Sequence, residues 1–143
     1  MLSSRLYKGR IMVVVGFAIG LISLTMTAGH IGNPSYLLIA EAGEGATHAW
    51  YHALRELCGD IMTMVVILIV LFGKSSNRTP LTWLLSLLLM LGYYAPFWIG
   101  TPFLGQLEAP NIGAEVVHVT MAALALGGLA FLRKEFNGGL SDV

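Results

Sequence analysis

Four long apolar segments constrain this chain more than any other feature of its sequence. They cover about residues 11–30, 47–72, 80–99 and 112–132, and short polar stretches separate them. A helix needs about 20 apolar residues to cross the hydrocarbon core of a bilayer. Charged residues make up 11% of the chain, whereas soluble domains carry about 25%. The sequence therefore predicts an all-α fold, a four-transmembrane-helix bundle that forms one integral membrane domain over residues 1–143.

These segments contain residues that begin a helix, end it or allow another helix to approach closely. Pro80 stands at a first-turn position, where proline is tolerated, and Asn111 can cap the fourth segment. Pro96 lies inside the third segment, and we expect it to kink or end that helix. Gly16 and Gly20 form a GxxxG pattern in the first segment, which allows another helix to approach closely.

The basic residues predict the orientation of the chain. Seven of the eight lie before the first segment, between the second and third, or after the fourth, and four spans place these regions on one side: Arg5, Lys8, Arg10, Lys74, Arg78, Arg133 and Lys134. Cytoplasmic loops are enriched in Lys and Arg. We therefore expect both termini in the cytoplasm and the chain in a bacterial inner membrane or its equivalent. The formal net charge is zero, which argues against a nucleic-acid partner and leaves the lipid bilayer as the predicted one.

A row of ionisable residues opens the second segment. His48, His52, Glu56 and Asp60 follow one another at a spacing of four, so a helix places them on nearly one face. Polar groups at membrane depth are costly and usually functional. With a rise of about 1.5 Å per residue, Asp60 lies about 18 Å into the helix. We expect it to lie below the other three and to bond a hydroxyl such as that of Ser86.

Three further residues predict a site in the outer half of the bundle. Glu115 and His118 stand three residues apart early in the fourth segment and share a helical face, a spacing that di-iron bundles use. His30 ends the first segment on the same side. Nitrogen and carboxylate ligands together suit Zn, Fe or Cu more than Mg or Ca. The predicted metal ligands are His48, His52, Glu56, Glu115 and His118, with His30 as a further ligand or as a hydrogen-bonding partner of the ligands.

The same residues are compatible with other functions. Haem b needs two histidines across an apolar slot, and His52 with His118 is the candidate pair for a haem-bearing, quinone-side subunit. A membrane enzyme acting on a lipophilic substrate would use His52, Glu56 and His118 in acid–base or metal-bound catalytic roles. A metal-free polar cluster, with a proton relay through Glu56 and Asp60, is a further alternative.

The stretch THAWYHALRE, with GHIGNP upstream, is similar to the His-Ala-x-x-His region of small, uncharacterised four-helix membrane proteins. This resemblance implies a four-helix fold and no activity. His52 and Glu56, one turn apart, also resemble the His and Glu of sterol-isomerase-like four-helix proteins, but the rest of the chain carries no matching motif. Four spans leave so small a chain almost no extramembrane surface, which favours an accessory subunit of a larger membrane complex.

Overall fold

The computed structural model describes residues 3–33, 47–99, 109 and 111–137, without the side chains of residues 47–49. Every regular element within these ranges is helical, which confirms the all-α class for this part of the chain. The helices are α1 (Ser4–Ala28), α2 (Thr47–Phe72), α3 (Pro80–Tyr94), the short α4 (Pro96–Ile99) and α5 (Ile112–Phe131). Two 3-10 helices cover Ser75–Asn77 and Arg133–Phe136.

Helix α1 begins earlier than its apolar segment. The hydroxyl of Ser3 accepts a hydrogen bond from the backbone N–H of Leu6 at 3.0 Å and so caps the helix. Arg5, Lys8 and Arg10 therefore lie within α1, and the predicted start at residue 11 is wrong. Long basic side chains can lie along a helix while their charged heads reach polar partners, so a basic flank need not stand outside the helix.

Two of the predicted helix ends are confirmed. Helix α3 stops at Tyr94, and the chain turns at Ala95 before α4 begins at Pro96. Proline lacks the backbone N–H that would continue the helical ladder, and its ring clashes with the carbonyl four residues earlier. At the start of α5, the side-chain oxygen of Asn111 accepts the N–H of Ala114 at 3.0 Å, which is the predicted cap.

Helices α1 and α5 form the closest pair in the bundle and run in opposite directions. A Cβ atom placed on Gly16 would lie 2.8 Å from both the backbone nitrogen of Ala125 and the carbonyl oxygen of Met121. One placed on Gly128 would lie 3.0 Å from the carbonyl oxygen of Gly9. Only glycine fits such a separation, so the close approach predicted at Gly16 is present, and its partner is α5.

The other long helices complete a ring of four. Helix α2 packs against α1 and α3, and α3 packs against α5. The Arg10 guanidinium donates to the carbonyl oxygen of Leu71 at the end of α2. The Trp83 indole donates to that of Leu129 at 3.0 Å. Neighbouring helices therefore alternate in direction around a core of buried side chains, which includes Val13, Ile67, Leu71, Met90, Met121 and Leu129.

One end of the bundle gathers arginines, and we call it the basic end. The Arg5 guanidinium lies 5.1 Å from the ring centre of Phe131, and that of Arg133 lies 5.3 Å from the ring centre of Trp83. The hydroxyl of Ser3 donates to the carboxylate of Glu135 at 2.8 Å. The two ends of the described chain therefore meet at the basic end. We call the opposite end, where α1 ends and α2 and α5 begin, the polar end.

Two helices in the described part of the chain are long and apolar enough to cross a membrane, α1 with a mean hydropathy of 2.3 and α5 with 1.6. Helix α2 is as long, but it carries Arg55, Glu56 and Asp60. Helix α3 is apolar and has 15 residues. Each of these four helices exposes large apolar side chains, among them Leu21, Met26, Met62, Ile69, Leu81, Leu88, Val116 and Val119.

Candidate functional site

A cavity of about 620 Å³ lies at the polar end and takes side chains from all five helices. Its walls combine carboxylates, imidazoles, hydroxyls and aromatic rings, whereas most of the bundle is apolar. The lining residues are Ser23, Met26, Thr27, His30, Glu56, Asp60, Gly92, Tyr93, Pro96, Phe97 and His118. We call it the polar cavity.

Pro96 and Phe97 of α4 belong to one wall of this cavity. The ring of Phe97 lies flat on the imidazole of His118, with ring centres 4.0 Å apart and planes 12° from parallel. The ring of Tyr93 meets Phe97 edge-on at 6.3 Å.

The carboxylates of the cavity come from α2. Glu56 and Asp60 are one helical turn apart and both line the cavity, Glu56 exposed and Asp60 half-buried. The expectation that Asp60 lies apart from Glu56 and His118 is therefore wrong. Its expected partner Ser86 donates instead to the carbonyl oxygen of Thr82 at 2.8 Å within α3. The cavity spans more than one turn of α2, about 5.4 Å, so residues at different depths share it.

Glu115 and His118 form a mostly buried pair beside the cavity. The Trp98 indole N–H donates to Oε1 of Glu115 at 2.8 Å. The other oxygen, Oε2, lies 4.0 Å from Nδ1 of His118, which is too long for a hydrogen bond. Neither atom has a hydrogen-bond partner among the described residues. Two buried polar atoms that face each other across such a gap can bind a third species between them.

His52 lies outside the set of residues that line the cavity. Its Nδ1 accepts a hydrogen bond from the guanidinium of Arg55 at 3.1 Å. Its ring also meets that of Tyr51 edge-on at 5.8 Å. The spacing of four between His52 and Glu56 predicts that they share a helical face. It does not account for Arg55, three residues after His52, whose guanidinium bonds Nδ1 of His52.

His30 occupies the junction between two spaces. It lines the polar cavity and also a groove of about 350 Å³ between the polar ends of α1 and α5. Of the six predicted ligands, the structure brings His30, Glu56 and His118 to one cavity and places Glu115 next to it. The side chain of His48 lies outside the described residues.

The part of the chain described here holds no group of three or more His, Cys, Asp or Glu side chains close enough to share a metal ion. His48 does not enter this comparison, because its side chain lies outside the described residues. The metal site and its identity as Zn, Fe or Cu stay predictions.

Several lining residues were not among the predicted site residues. Ser23 and Thr27 stand four residues apart on α1 and the predicted His30 follows three residues later, a spacing that is typical of one helical face and was available in the sequence. Tyr93 and Phe97 are aromatic residues of the kind that form a belt at the membrane interface, which is the role that the sequence indicates for them. Their position in the wall is set by the packing of α3 and α4 against α5, which spacing along the chain does not give.

Comparisons of the chain with protein-family models, curated proteins and solved structures find no match. The resemblance of THAWYHALRE to small four-helix membrane proteins is therefore not extended to a family assignment.

Proposed function

We propose that this chain is a multi-pass membrane protein with four spans and with its basic end in the cytoplasm. Large apolar side chains on the outside of every long helix support it, because a water-soluble monomer rarely exposes large contiguous apolar patches. The arginines gathered at one end agree with the enrichment of basic residues on the cytoplasmic side. The polar cavity then lies in the outer half of the membrane.

The orientation can be tested with single cysteines in a Cys58→Ser background. Ser76→Cys adds a thiol to the exposed turn at the basic end, and Ala109→Cys adds one before α5. In intact cells an impermeant thiol reagent is expected to label Ala109→Cys alone, and in inverted vesicles Ser76→Cys alone. Labelling of both variants from the same side would contradict four spans.

The activity that we propose is the binding of a lipophilic small molecule in the polar cavity. The observation that carries this proposal is the cavity itself. Its volume of about 620 Å³ lies within the range of about 300–1,000 Å³ that is common for small-molecule sites. More than half of its lining residues have polar side chains, within a largely apolar bundle. Glu56 and His118 line it together and are the groups that would act as acid and base on a bound molecule, the roles predicted for a membrane enzyme.

Two glycines allow a matched test of this binding. A Cβ atom on either Gly92 or Gly59 would meet no heavy atom within 4 Å, and only Gly92 lines the cavity. Gly92→Leu should therefore fill part of the cavity without disturbing the packing, whereas Gly59→Leu adds the same side chain elsewhere.

The probes are three lipophiles of similar size and different charge: neutral triphenylmethanol, cationic tetraphenylphosphonium and anionic tetraphenylborate. Binding is measured by equilibrium dialysis against protein-free micelles of the same detergent. At least one probe should bind to wild type and to Gly59→Leu. Gly92→Leu should weaken the binding of that probe about tenfold or more, because the loss of one region of apolar contact changes the affinity on this scale. No saturable binding of any probe, or equal binding by both variants, would refute the proposal.

A metal ion is a second candidate, and one observation favours it. Nδ1 of His118 and Oε2 of Glu115 are 4.0 Å apart, mostly buried, and without other partners among the described residues. Zinc binds imidazole nitrogen and carboxylate oxygen at about 2.0–2.2 Å, so one ion can contact both atoms. Further ligands would come from water or from residues that the structure does not describe.

Metal analysis of the purified protein tests this candidate. We expect stoichiometric Zn, Fe or Cu in wild type, and loss of the metal in His118→Ala and in Glu115→Gln. His52→Ala is the comparison, since His52 lies outside the cavity and bonds Arg55. Purified wild-type protein without bound metal would refute the proposed metal site. The predicted accessory-subunit role and haem b site stay predictions.

A further inference from the structure

The acidic side chains of the polar cavity are matched by no basic side chain other than its histidines among the described residues. Glu56 and Asp60 both line it, and no lysine or arginine does so in the part of the chain that the structure describes. Arg55, the nearest in sequence, directs its guanidinium to His52. Seven of the eight basic residues belong to regions near the basic end. A ligand inside the cavity therefore meets carboxylates with few competing cations.

Aromatic faces add to this preference. Tyr93 and Phe97 line the same cavity as the two carboxylates, and their rings meet edge-to-face. The face of an aromatic ring attracts a cation, and aromatic walls are the usual means by which proteins hold quaternary ammonium groups. Carboxylates with aromatic rings select a charged centre surrounded by apolar substituents, whereas a strongly hydrated inorganic ion would gain less from the rings.

A mostly apolar groove adjoins this cavity at the side of the bundle. The groove between α1 and α5 shares Ser23, Met26, His30 and His118 with the polar cavity, so the two spaces adjoin. Its other lining residues include Ile22 and Val117. At its outer edge Ile22 is 50% and Met26 68% exposed. In a bilayer this edge faces the lipid, where lipophilic molecules accumulate.

We infer that the polar cavity binds a lipophilic organic cation, an ammonium or phosphonium centre with apolar substituents, which enters from the bilayer through the groove between α1 and α5. This inference rests on the proposed binding function and specifies its ligand class. Glu56 and Asp60 supply the countercharge, Tyr93 and Phe97 contact the substituents, and the groove accommodates any apolar chain that extends from the charged centre.

The test compares tetraphenylphosphonium with tetraphenylborate, which have nearly the same shape and opposite charge. Wild type should bind the cation at least about tenfold more tightly than the anion, because removing a charged hydrogen-bonding or ion partner typically changes affinity on this scale. Glu56→Gln and Asp60→Asn should each weaken the binding of the cation about tenfold and leave the binding of neutral triphenylmethanol unchanged. Glu135→Gln is the matched control, since Glu135 bonds Ser3 at the basic end and does not line the cavity.

Each outcome decides between the two proposals. Equal binding of cation and anion, sensitive to Gly92→Leu, would refute the cation preference and leave the lipophile-binding function intact. Binding of the neutral probe alone would likewise refute the cation preference and leave the lipophile-binding function intact. The absence of saturable binding for all three probes would refute both. A loss of cation binding in Glu135→Gln equal to that in Glu56→Gln would refute the assignment of the countercharge to α2. Melting curves of each variant in detergent exclude those that fail to fold.

To locate the route, Ala114→Leu and Ala18→Leu form a matched pair on α5 and α1. Ala114 lines the groove, whereas Ala18 lines a separate apolar surface depression between α1 and α2. Ala114→Leu should slow the association of tetraphenylphosphonium by about tenfold or more, the scale of narrowing an access path by several atoms. Unchanged association in Ala114→Leu would overturn entry through the groove.

Discussion

The separation of α1 and α5 gives the most direct prediction about stability. At Gly16 an added methyl group would stand 2.8 Å from two backbone atoms of α5, the nitrogen of Ala125 and the carbonyl oxygen of Met121. Ordinary contacts begin at 3.4 Å. Backbone atoms of a helix cannot rotate away as a side chain can, so Gly16→Ala must push the two helices apart by several tenths of an ångström.

The magnitude follows from two opposing terms. Overpacking a close contact costs about 1–3 kcal/mol, whereas alanine gains about 1 kcal/mol over glycine from helix propensity. Gly59→Ala isolates the second term, because a Cβ atom there meets nothing within 4 Å. We expect Gly59→Ala to stabilise the bundle by up to about 1 kcal/mol and Gly16→Ala to be less stable than Gly59→Ala by about 1–3 kcal/mol.

Titration of the purified protein with sodium dodecyl sulfate in mixed micelles measures this difference. Tryptophan fluorescence follows unfolding, since the Trp83 indole is bonded to the carbonyl of Leu129 on α5. Circular dichroism shows whether helices persist after the bundle separates. Equal stability of Gly16→Ala and Gly59→Ala would refute the reasoning, because it would mean that α1 and α5 are not in backbone contact at Gly16.

Two further changes have clear signs in the same titration. Arg10→Met removes the hydrogen bond to the carbonyl of Leu71 and the cation that lies 4.8 Å from the ring centre of Phe72; we expect a loss of about 1.5–3 kcal/mol, and an unchanged midpoint would contradict the contact. Tyr94→Phe deletes a buried hydroxyl with no hydrogen-bond partner among the described residues. It should be neutral or stabilising by about 1 kcal/mol, and a clear destabilisation would reveal a partner.

The course of the helices was largely predictable from the sequence, and their partners were not. Apolar length places α2 and α5 to within a residue, and the chemistry of Pro96 and Asn111 explains where α3 ends and α5 begins. The glycine pattern indicates that a helix approaches Gly16 closely. It does not identify which one, because any helix with a small-residue face could do so.

The candidate site was predictable in part, for a similar reason. Position along each helix brings His30, Glu56 and His118 to one end of the bundle, and they share the cavity. Rotation about each helix axis is set by packing, which the sequence does not state. His52 therefore misses the cavity in spite of its spacing from Glu56. Asp60 joins it because the space is taller than one turn, which a depth estimate for single residues cannot show.

The pairing of α1 with α5 has a consequence for how the chain is assembled. The closest helix pair joins two elements far apart along the chain, and α1 leaves the ribosome well before α5. The glycine face of α1 therefore stays without its partner until α5 has been synthesised. Cutting the chain in the turn around Ser75–Asn77 would leave one member of the pair on each fragment. Two separately expressed halves are thus expected to recognise each other and restore the bundle.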